Sequence, residues 1–474
     1  MANMQRMKNT RWLIKTHERQ WILILGDLVI GIISLFIALY IWAQKDQWIS
    51  FSLQFIRERP QAWFYMLPLF WMILIVDLYN VRKAGSRRDT VQGILIATIV
   101  SAILYLVIFF IAEPNTLPRR GVAAFIGSVA ILTLIWRNVY ISVFTAPTFL
   151  RRVLIIGAGR SGCTLSAVIK NIYPLPFNLI GFIDDDKKKV GKIIQGLPVM
   201  GDCNDLLKII DQEHITDLIF SISGEMHSET FSAILQAKEN GVEVTTMPVL
   251  YEELIGRVPI FLLEDDWILR TFVDHTRSTS GYEALKRIVD IFVASVGFIM
   301  LATLAPLIAL VIYLDDGKPV VYRQERVGVN GKPFTLLKFR TMHLDAEEDG
   351  VARLAVENDE RVTRVGRFLR RSHLDELPQF LNVLRGDISM VGPRAERPEF
   401  VDQLQKEIPF YRARLFVKPG MTGWAQINYR YASTVEESAI KLEYDLYYIK
   451  HRNILLDINI IMRTLGQVIG LRGV

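Results

Sequence analysis

Before residue 150 the chain repeats one pattern four times: a long apolar run bounded by charged or turn-forming residues. The runs are Trp21 to Trp42, Ala62 to Tyr79, Val91 to Ala112 and Gly121 to Val143. As a helix, each is long enough to cross a hydrocarbon layer about 30 Å thick. The pattern therefore predicts a four-helix transmembrane bundle over residues 1–147. The first run is too long for a secretory leader, and no small-residue cleavage site follows it. Basic residues set the orientation. Arg6, Lys8, Arg11, Lys15 and Arg19 precede the first run, Arg82, Lys83, Arg87 and Arg88 separate the second from the third, and Arg151 and Arg152 follow the fourth. All three clusters are expected on the cytoplasmic side. Arg119 and Arg120, at the start of the fourth run, go against this trend. An even number of crossings returns the chain to the cytoplasm after Phe149.

From Arg151 the pattern is that of a soluble α/β domain, expected over residues 148–275. "VLIIGAGRSG" reads as a buried strand entering a glycine turn, and "LIGFIDDD" as a second strand ending in acids. Gly157, Gly159 and Gly162 match a dinucleotide fingerprint, with Asp184 near the place of a ribose-binding acid. Two readings stay open: a working nucleotide crevice, and a Rossmann-like scaffold without a ligand. No Tyr-x-x-x-Lys pair follows, and the alternation of strands and helices runs out near Leu250, about half the length of a complete six-stranded sheet.

A linker from Asp274 to Ser280 leads to the last segment, residues 280–474. Its apolar run, Ile288 to Leu314, is again of membrane length. Lys286 and Arg287 precede it and Arg323, Arg326, Lys338 and Arg340 follow, so both ends carry the inside signal. Pro306 lies in the interior, where it removes a helical hydrogen bond and bends the helix. Residues 286–314 are expected to enter the inner leaflet, break at Ala305-Pro306 and return to the same side.

Composition agrees with a membrane protein carrying soluble parts: 51% of residues are hydrophobic, concentrated in these runs. The two cysteines, Cys163 and Cys203, read as reduced thiols, and the seven scattered histidines suggest no structural zinc site. A net charge of +6 suits inner-leaflet headgroups and phosphorylated substrates; no aromatic-basic motif points to nucleic acid.

The chemistry gathers in "SHLDELPQFLNVLRGDISMVGPR". Asp375 is placed to cap a helix with Glu376, Leu377 and Pro378 in its first turn, and Gly386 to end it. A carboxylate at a helix N-terminus is held ionised beside N–H groups that attract phosphate, which suits a nucleophile acting on phosphorus. Glu376 is then free to hold a divalent cation. Arg361, Arg364, Arg367 and Arg370 recur every third residue upstream and predict a basic helical face. Gly386-Asp387, Gly392-Pro393-Arg394 and "KPGMTGWAQIN" supply turns, an acid, a further arginine and Trp424, a residue for stacking or for the core.

These blocks, with "KRIVD", "YRQERVG", "KFRTM" and "YDLYYIKHRNILLDINIIMRT", resemble the catalytic domain of bacterial monotopic phosphoglycosyl transferases, the polyprenyl-phosphate sugar-1-phosphate transferases. The whole chain is similar to the large members, such as undecaprenyl-phosphate glucose or galactose phosphotransferases. The resemblance implies that Asp375 attacks the β-phosphate of a UDP-sugar, releases UMP, and passes the sugar phosphate to undecaprenyl phosphate. It implies Mg²⁺ at Glu376, phosphate contacts from Lys338, Arg340, Arg370 and Arg394, and a supporting acid in Asp387. It further implies a homodimer in the bacterial inner membrane, with the catalytic domain facing the cytoplasm, acting at the first membrane step of exopolysaccharide, capsule or O-antigen assembly. Three positions depart from the family's blocks: Ala305 before Pro306, Ala395 after Arg394, and Tyr429 in Asn428-Tyr429-Arg430. The last two line the nucleotide and sugar side by the resemblance, so the hexose is not specified.

Two rivals belong to other classes. A membrane-anchored NAD-dependent nucleotide-sugar oxidoreductase or epimerase rests on Gly157, Gly159 and Gly162, and needs the complete sheet and the Tyr-Lys pair. A non-enzymatic assembly scaffold needs degenerate domains, against which the Asp375-Glu376 pair speaks.

Overall fold

The computed structural model describes residues 16–44, 50–79, 81–111, 118–144, 151–172, 175, 177–221, 227–263, 280–344, 346, 359–429 and 434–469. Arg6, Lys8, Arg11, Lys15, the linker from Asp274 to Thr279, and Arg430 lie outside these residues. The chain forms two compact units, one running through Thr245 and the other from Thr246 to Val474.

In the first unit, three of the four predicted apolar runs are long single helices: α1 (Thr16–Ala43), α2 (Arg87–Ile111) and α3 (Arg119–Phe144). The second run is helical in pieces, Ala62–Tyr65, Leu67–Leu74 and a 3₁₀ turn Val76–Tyr79. Pro68, which lacks an N–H, sits in the first turn of the middle piece, where a helix starts readily and is not continued from before. Buried Leu23, Leu39, Trp71, Phe125 and Val129 belong to one apolar core of the bundle. One ion pair crosses it: Arg137, fully buried on α3, donates to Asp27 of α1 at 2.5 Å and to the Leu78 carbonyl at 2.9 Å.

The α/β part follows as β1 (Arg152–Ile156), α4 (Arg160–Asn171), β2 (Asn178–Ile183), β3 (Ile193–Ile194), β4 (Leu197–Gly201), β5 (Asp217–Phe220) and β6 (Glu243–Thr246). The sheet order is β3-β4-β2-β1-β5-β6, with β4-β2-β1-β5 paired in parallel. The sheet thus holds more strands than its length suggested. "KIIQGLPV" forms a hairpin, turned at Gln195 and Gly196, both with positive φ, whose first arm is the two-residue antiparallel edge β3.

The second unit is organised on α5 (Ser280–Asp316), a helix continuous through Pro306. The expected break at Ala305-Pro306 is therefore not a change of secondary structure; a proline costs the helix one hydrogen bond and leaves its ends to be set by packing. Ala294, Leu301, Ile308 and Ile312 of α5 join a core with Leu369, Leu377 and Phe380, while Phe292, Ile299, Leu307 and Leu314 stay exposed. Among the described residues, α1, α2, α3 and α5 are the helices long and apolar enough to cross a membrane. Both ends of α5 are held by the rest of this unit. Near its start, Lys286 pairs with Asp457 at 3.0 Å, and Arg287 donates to the carbonyls of Val383 and Leu384 at 2.7 and 2.8 Å. At its end, Asp315 accepts from the Val365 amide at 3.2 Å and Asp316 pairs with Arg340 at 3.2 Å.

After α5 come a hairpin, β7 (Val321–Val327) and β8 (Pro333–Phe339), then α6 (Arg364–Arg371), α7 (Gln379–Arg385), β9 (Ser389–Val391), β10 (Gly420–Thr422), α8 (Val435–His451) and α9 (Ile454–Ile469). β9 and β10 pair in parallel. A Cβ on Gly420 would lie 2.1 Å from the Gly392 nitrogen, so the two glycine motifs allow a backbone contact that no side chain would permit.

The bundle's ion pair yields a stability prediction. Arg137→Met leaves the Asp27 carboxylate buried alone and should cost about 3–5 kcal/mol, whereas Asp27→Leu combined with Arg137→Met should recover most of it. Thermal unfolding in detergent micelles checks the order.

Candidate active site

The approach to Asp375 is built by α6. Thr363 caps it, its hydroxyl accepting from the Gly366 amide at 2.9 Å. His373, held at φ 58°, then turns the chain into a 3₁₀ turn, Leu374–Glu376, closed by Glu376 N donating to His373 O and Leu377 N to Leu374 O. This differs from the expectation that Asp375 caps a helix. The helix proper, α7, begins after Pro378 and makes no side-chain cap bond. Proline cannot donate, so the regular ladder starts beyond it and Asp375 is left in the preceding turn. Gly386, at φ 91°, ends α7 as the sequence suggested.

Two adjacent carboxylates result, in different surroundings. Asp375 is 7% exposed, and no hydrogen bond to its carboxylate is found among the described residues. Burial, only partly offset by Lys338 and aggravated by Glu376, pushes its carboxyl up to about 6. Glu376 is also penalised by burial, but Lys338 and Arg394 outweigh this and hold it well below the usual carboxylate range. Lys338 Nζ lies 2.8 Å and Arg394 3.3 Å from the same oxygen, Oε1. One carboxylate is thus fixed as an anion, and its neighbour is left uncommitted and hard to ionise.

The remaining predicted residues divide. Arg370 donates to Thr341 Oγ1 at 2.9 Å and contributes to the electrostatics at Asp375. Arg340 is spent elsewhere: its guanidinium donates to the carbonyls of Asp316 and Gly317 at 2.6 and 2.7 Å, closing the C-terminus of α5. Its donors satisfy chain-end carbonyls, as no sequence spacing could reveal. Asp387 accepts from Asn382 at 3.0 Å, and Asn382 in turn bonds the Thr335 carbonyl and the Leu337 amide, so Asp387 steadies β8 one step from Lys338. Of the four periodic arginines, Arg361 precedes α6 and forks onto Asp359, Arg364 and Arg367 are exposed, and Arg370 faces the dyad. Trp424 is structural, stacked on Tyr447 and donating to the Gly256 carbonyl at 2.9 Å.

Sequence reasoning missed three buried groups that shape the site. Arg414 bonds the Arg394 carbonyl at 2.9 Å and Asp445 at 2.9 Å, pinning the loop that carries Arg394. Tyr448 bonds Asp457 at 2.8 Å and the Val391 carbonyl at 3.2 Å. Asp290, an acid inside an apolar run, grips β9; that placement alone was a usable signal. No spacing marked the other two.

Among the described residues no group of three His, Cys, Asp or Glu could hold a metal ion. The donor set suits a cation that arrives on phosphates, since Mg²⁺ needs only one or two protein carboxylates beside phosphate oxygens and water, and Glu376 is kept ionised. In the first unit, Gly157 has φ 103°, Gly159 starts α4, and a Cβ on Gly162 would lie 2.0 Å from the Gly157 carbonyl oxygen. The Asp184 carboxylate is bonded to the Ala158 amide at 2.8 Å and to Lys189 at 2.9 Å. The acid that a ribose would need is thus engaged by the loop itself, which does not suit a dinucleotide.

Residues 281–470 match the family described as bacterial sugar transferase, and residues 74–248 one described as CoA-binding domain. The UDP-glucose:undecaprenyl-phosphate glucose-1-phosphate transferase of Xanthomonas campestris pv. campestris is 30% identical over 331 residues, 68% of this chain and 67% of that protein. The enzyme of the same name from Escherichia coli (strain K12) is 44% identical over 47% of this chain and 46% of its own. The UDP-N-acetylgalactosamine-undecaprenyl-phosphate N-acetylgalactosaminephosphotransferase of Aeromonas hydrophila is 43% identical over 46% of this chain and 50% of its own. The matches thus span about half the length of the last two relatives.

Arg340 is 5% exposed in its side chain and bonds chain-end carbonyls, so Arg340→Met should lower the melting temperature by several degrees, as thermal unfolding would show.

Proposed function

The chain belongs to the bacterial sugar transferases, the polyprenyl-phosphate sugar-1-phosphate transferases, and from that membership we propose that it moves a hexose-1-phosphate group from a UDP-sugar to undecaprenyl phosphate. The observation that carries the mechanism is the asymmetry of the dyad: Asp375 without a bound partner, Glu376 clamped by Lys338 and Arg394. An Asp375 oxygen attacks the β-phosphorus. The bond from that phosphorus to the bridging oxygen breaks, and UMP leaves with the oxygen. An oxygen of the lipid phosphate then attacks the same phosphorus, the bond to Asp375 breaks, and the carboxylate is restored with no net proton taken up. Glu376 would hold Mg²⁺ on the diphosphate, where the metal lowers the negative charge met by the nucleophile. Arg394, Lys338 and Arg370 orient phosphate oxygens; Asp387 supports them through Asn382. Arg340 belongs to the end of α5 and not to this set.

The same reading places the catalytic part, residues 280–474, on the cytoplasmic side of the bacterial inner membrane, beside membrane helices over 1–147 and an α/β part over 148–275. A re-entrant α5 fits it. The contacts at Lys286, Arg287, Asp315 and Asp316 are all made to one unit, which supports both ends of α5 lying on the same side of a bilayer about 30 Å thick. The exposed apolar residues of α5 then face lipid. A homodimer, and a place at the first membrane step of exopolysaccharide, capsule or O-antigen assembly, belong to the proposal as well. The oxidoreductase alternative is disfavoured by the engagement of Asp184.

The deciding experiment incubates the purified protein with a panel of UDP-sugars, Mg²⁺ and undecaprenyl phosphate and follows UMP; no release from any sugar ends the reading. Asp375→Asn should release none, while Glu376→Gln should mainly weaken metal-dependent turnover. Because the nucleophile must be ionised, kcat/KM should rise with pH through about 6 and then level off. The stability effect has the opposite sense. The folded value lies above the ordinary one, so stability from this group is lost as pH rises toward 6, and Asp375→Asn should melt higher than wild type above that pH without metal. Cysteines placed near Lys286 and near Lys318 should both label from the cytoplasmic side; labelling of one from outside would exclude the re-entrant helix.

A further inference from the structure

β9 is a three-residue strand with a partner on one side. Toward β10, the Ser389 amide donates to the Pro419 carbonyl at 2.8 Å and the Gly392 amide to the Thr422 carbonyl at 2.9 Å. Among the described residues the sheet has these two strands. Of the two amides between those donors, Val391 N reaches Ser389 Oγ at 3.4 Å, and Met390 N finds its acceptor outside the sheet. Asp290 of α5 takes the missing place. Its Oδ1 accepts from Met390 N at 3.0 Å and from Ser389 Oγ at 3.0 Å. All three residues are buried, at 5%, 6% and 1% exposure. The Tyr448 hydroxyl, bonded to Asp457 at 2.8 Å, lies 3.2 Å from the Val391 carbonyl. Three residues beyond Val391, Arg394 reaches Glu376.

We propose that Asp290 is a positioning residue for the dyad: reaching out of α5, it supplies the absent edge of β9 and thereby fixes Arg394 against Glu376. This rests on the transferase reading. A carboxylate suits the task because one oxygen can accept two donors converging from a backbone and a hydroxyl. Without it, a buried amide and a buried hydroxyl lose their acceptor and the strand shifts to find others. The shift passes along a short rigid path, since Gly392 is held by Thr422 and the Arg394 carbonyl by Arg414. The membrane helix and the phosphate-binding loop are then one mechanical element. The depth of α5 and the aim of Arg394 cannot change independently.

The test compares Asp290→Ala with Asp290→Asn in the full-length protein. Asparagine keeps an acceptor oxygen at the same place; alanine keeps none. In Asp290→Ala, kcat should fall about tenfold or more with KM changed by less than about threefold, because misaiming affects the reacting geometry more than binding. Asp290→Asn should recover to within about threefold of wild type. Adding Arg394→Lys to Asp290→Ala should cost less than the product of the two single effects, as expected when one residue acts through the other. Hydrogen exchange of the peptide 389–394, measured without substrate, should quicken in Asp290→Ala and return in Asp290→Asn. Should Asp290→Ala not fold, Ser389→Ala removes one donor and should lower kcat in the same direction; wild-type kcat there would overturn the proposal. Equal losses in the alanine and asparagine variants, multiplicative effects with Arg394→Lys, or a lowered melting temperature with wild-type kcat would also overturn it. If wild type releases no UMP from any UDP-sugar, the transferase reading falls, while quickened exchange in Asp290→Ala still supports the grip on β9.

Discussion

Two adjacent buried carboxylates repel each other and resist ionisation, and positive charge within a few ångströms is what makes the arrangement tenable. Here the charge is shared unequally. Lys338 and Arg394 both approach Oε1 of Glu376, so that carboxylate carries the anion while Asp375 stays protonated more easily. Moving either cation by an ångström would redistribute the charge between the two acids. The surroundings of the site can be understood as devices that prevent such a movement.

Lys338 is held because β8 is tied at Leu337 and Thr335 to the side chain of Asn382, which Asp387 orients. Arg394 is held by a loop whose carbonyls are taken by buried arginines, Ala395 O by Arg326 and Arg394 O by Arg414. Glu396 binds Lys441 at 2.7 Å and, despite burial, is held down at about 2 by Lys441 and Arg414. These buried ions cost desolvation and gain little net stability. Their benefit is a loop with one conformation, which a phosphate site requires. The unusual residue of the loop, Ala395, contributes its carbonyl and little else, so the departure from the family's blocks leaves this framework intact.

The sequence made visible what depends on local pattern. Three of the four N-terminal apolar runs, the strand-to-glycine turn at Gly157 and the helix stop at Gly386 each rest on neighbours in the chain, and they appear where the local pattern put them, whereas the second run is broken into short pieces. The block around Asp375 was recognisable by its residues, yet its cap geometry was misjudged, because Pro378 moves the helix start by a distance that composition does not fix. Arg340 shows the limit more plainly. The family resemblance placed it beside Lys338 as a phosphate contact, and two residues apart on a continuing strand the two would share one side. But β8 ends at Phe339, so the alternation no longer applies and the guanidinium turns to the end of α5. Non-local partners were illegible for a related reason: Tyr448 and Asp457 lie in a quoted block that assigns them no role, and their meaning exists only once α8, α9 and α5 meet.

That meeting connects the membrane segment to the chemistry. In the proposed reaction a lipid phosphate lies at the bilayer surface, and a nucleophile in a soluble domain reaches it only if the domain is held at fixed depth. A single anchor at one end of α5 would let the unit tilt. Anchors at both ends, Lys286 with Asp457 and Asp316 with Arg340, resist tilting, and they leave the middle of the helix to interact with apolar surroundings on one face and with Phe380 on the other. Gly297 makes the second contact close, since a Cβ there would lie 2.4 Å from the Phe380 ring. Phe380 belongs to α7, the helix that starts just after the dyad, so the path from α5 to Asp375 is short and densely packed. Pro306 therefore need not break the helix. It has only to soften a segment whose two ends are both held by one unit.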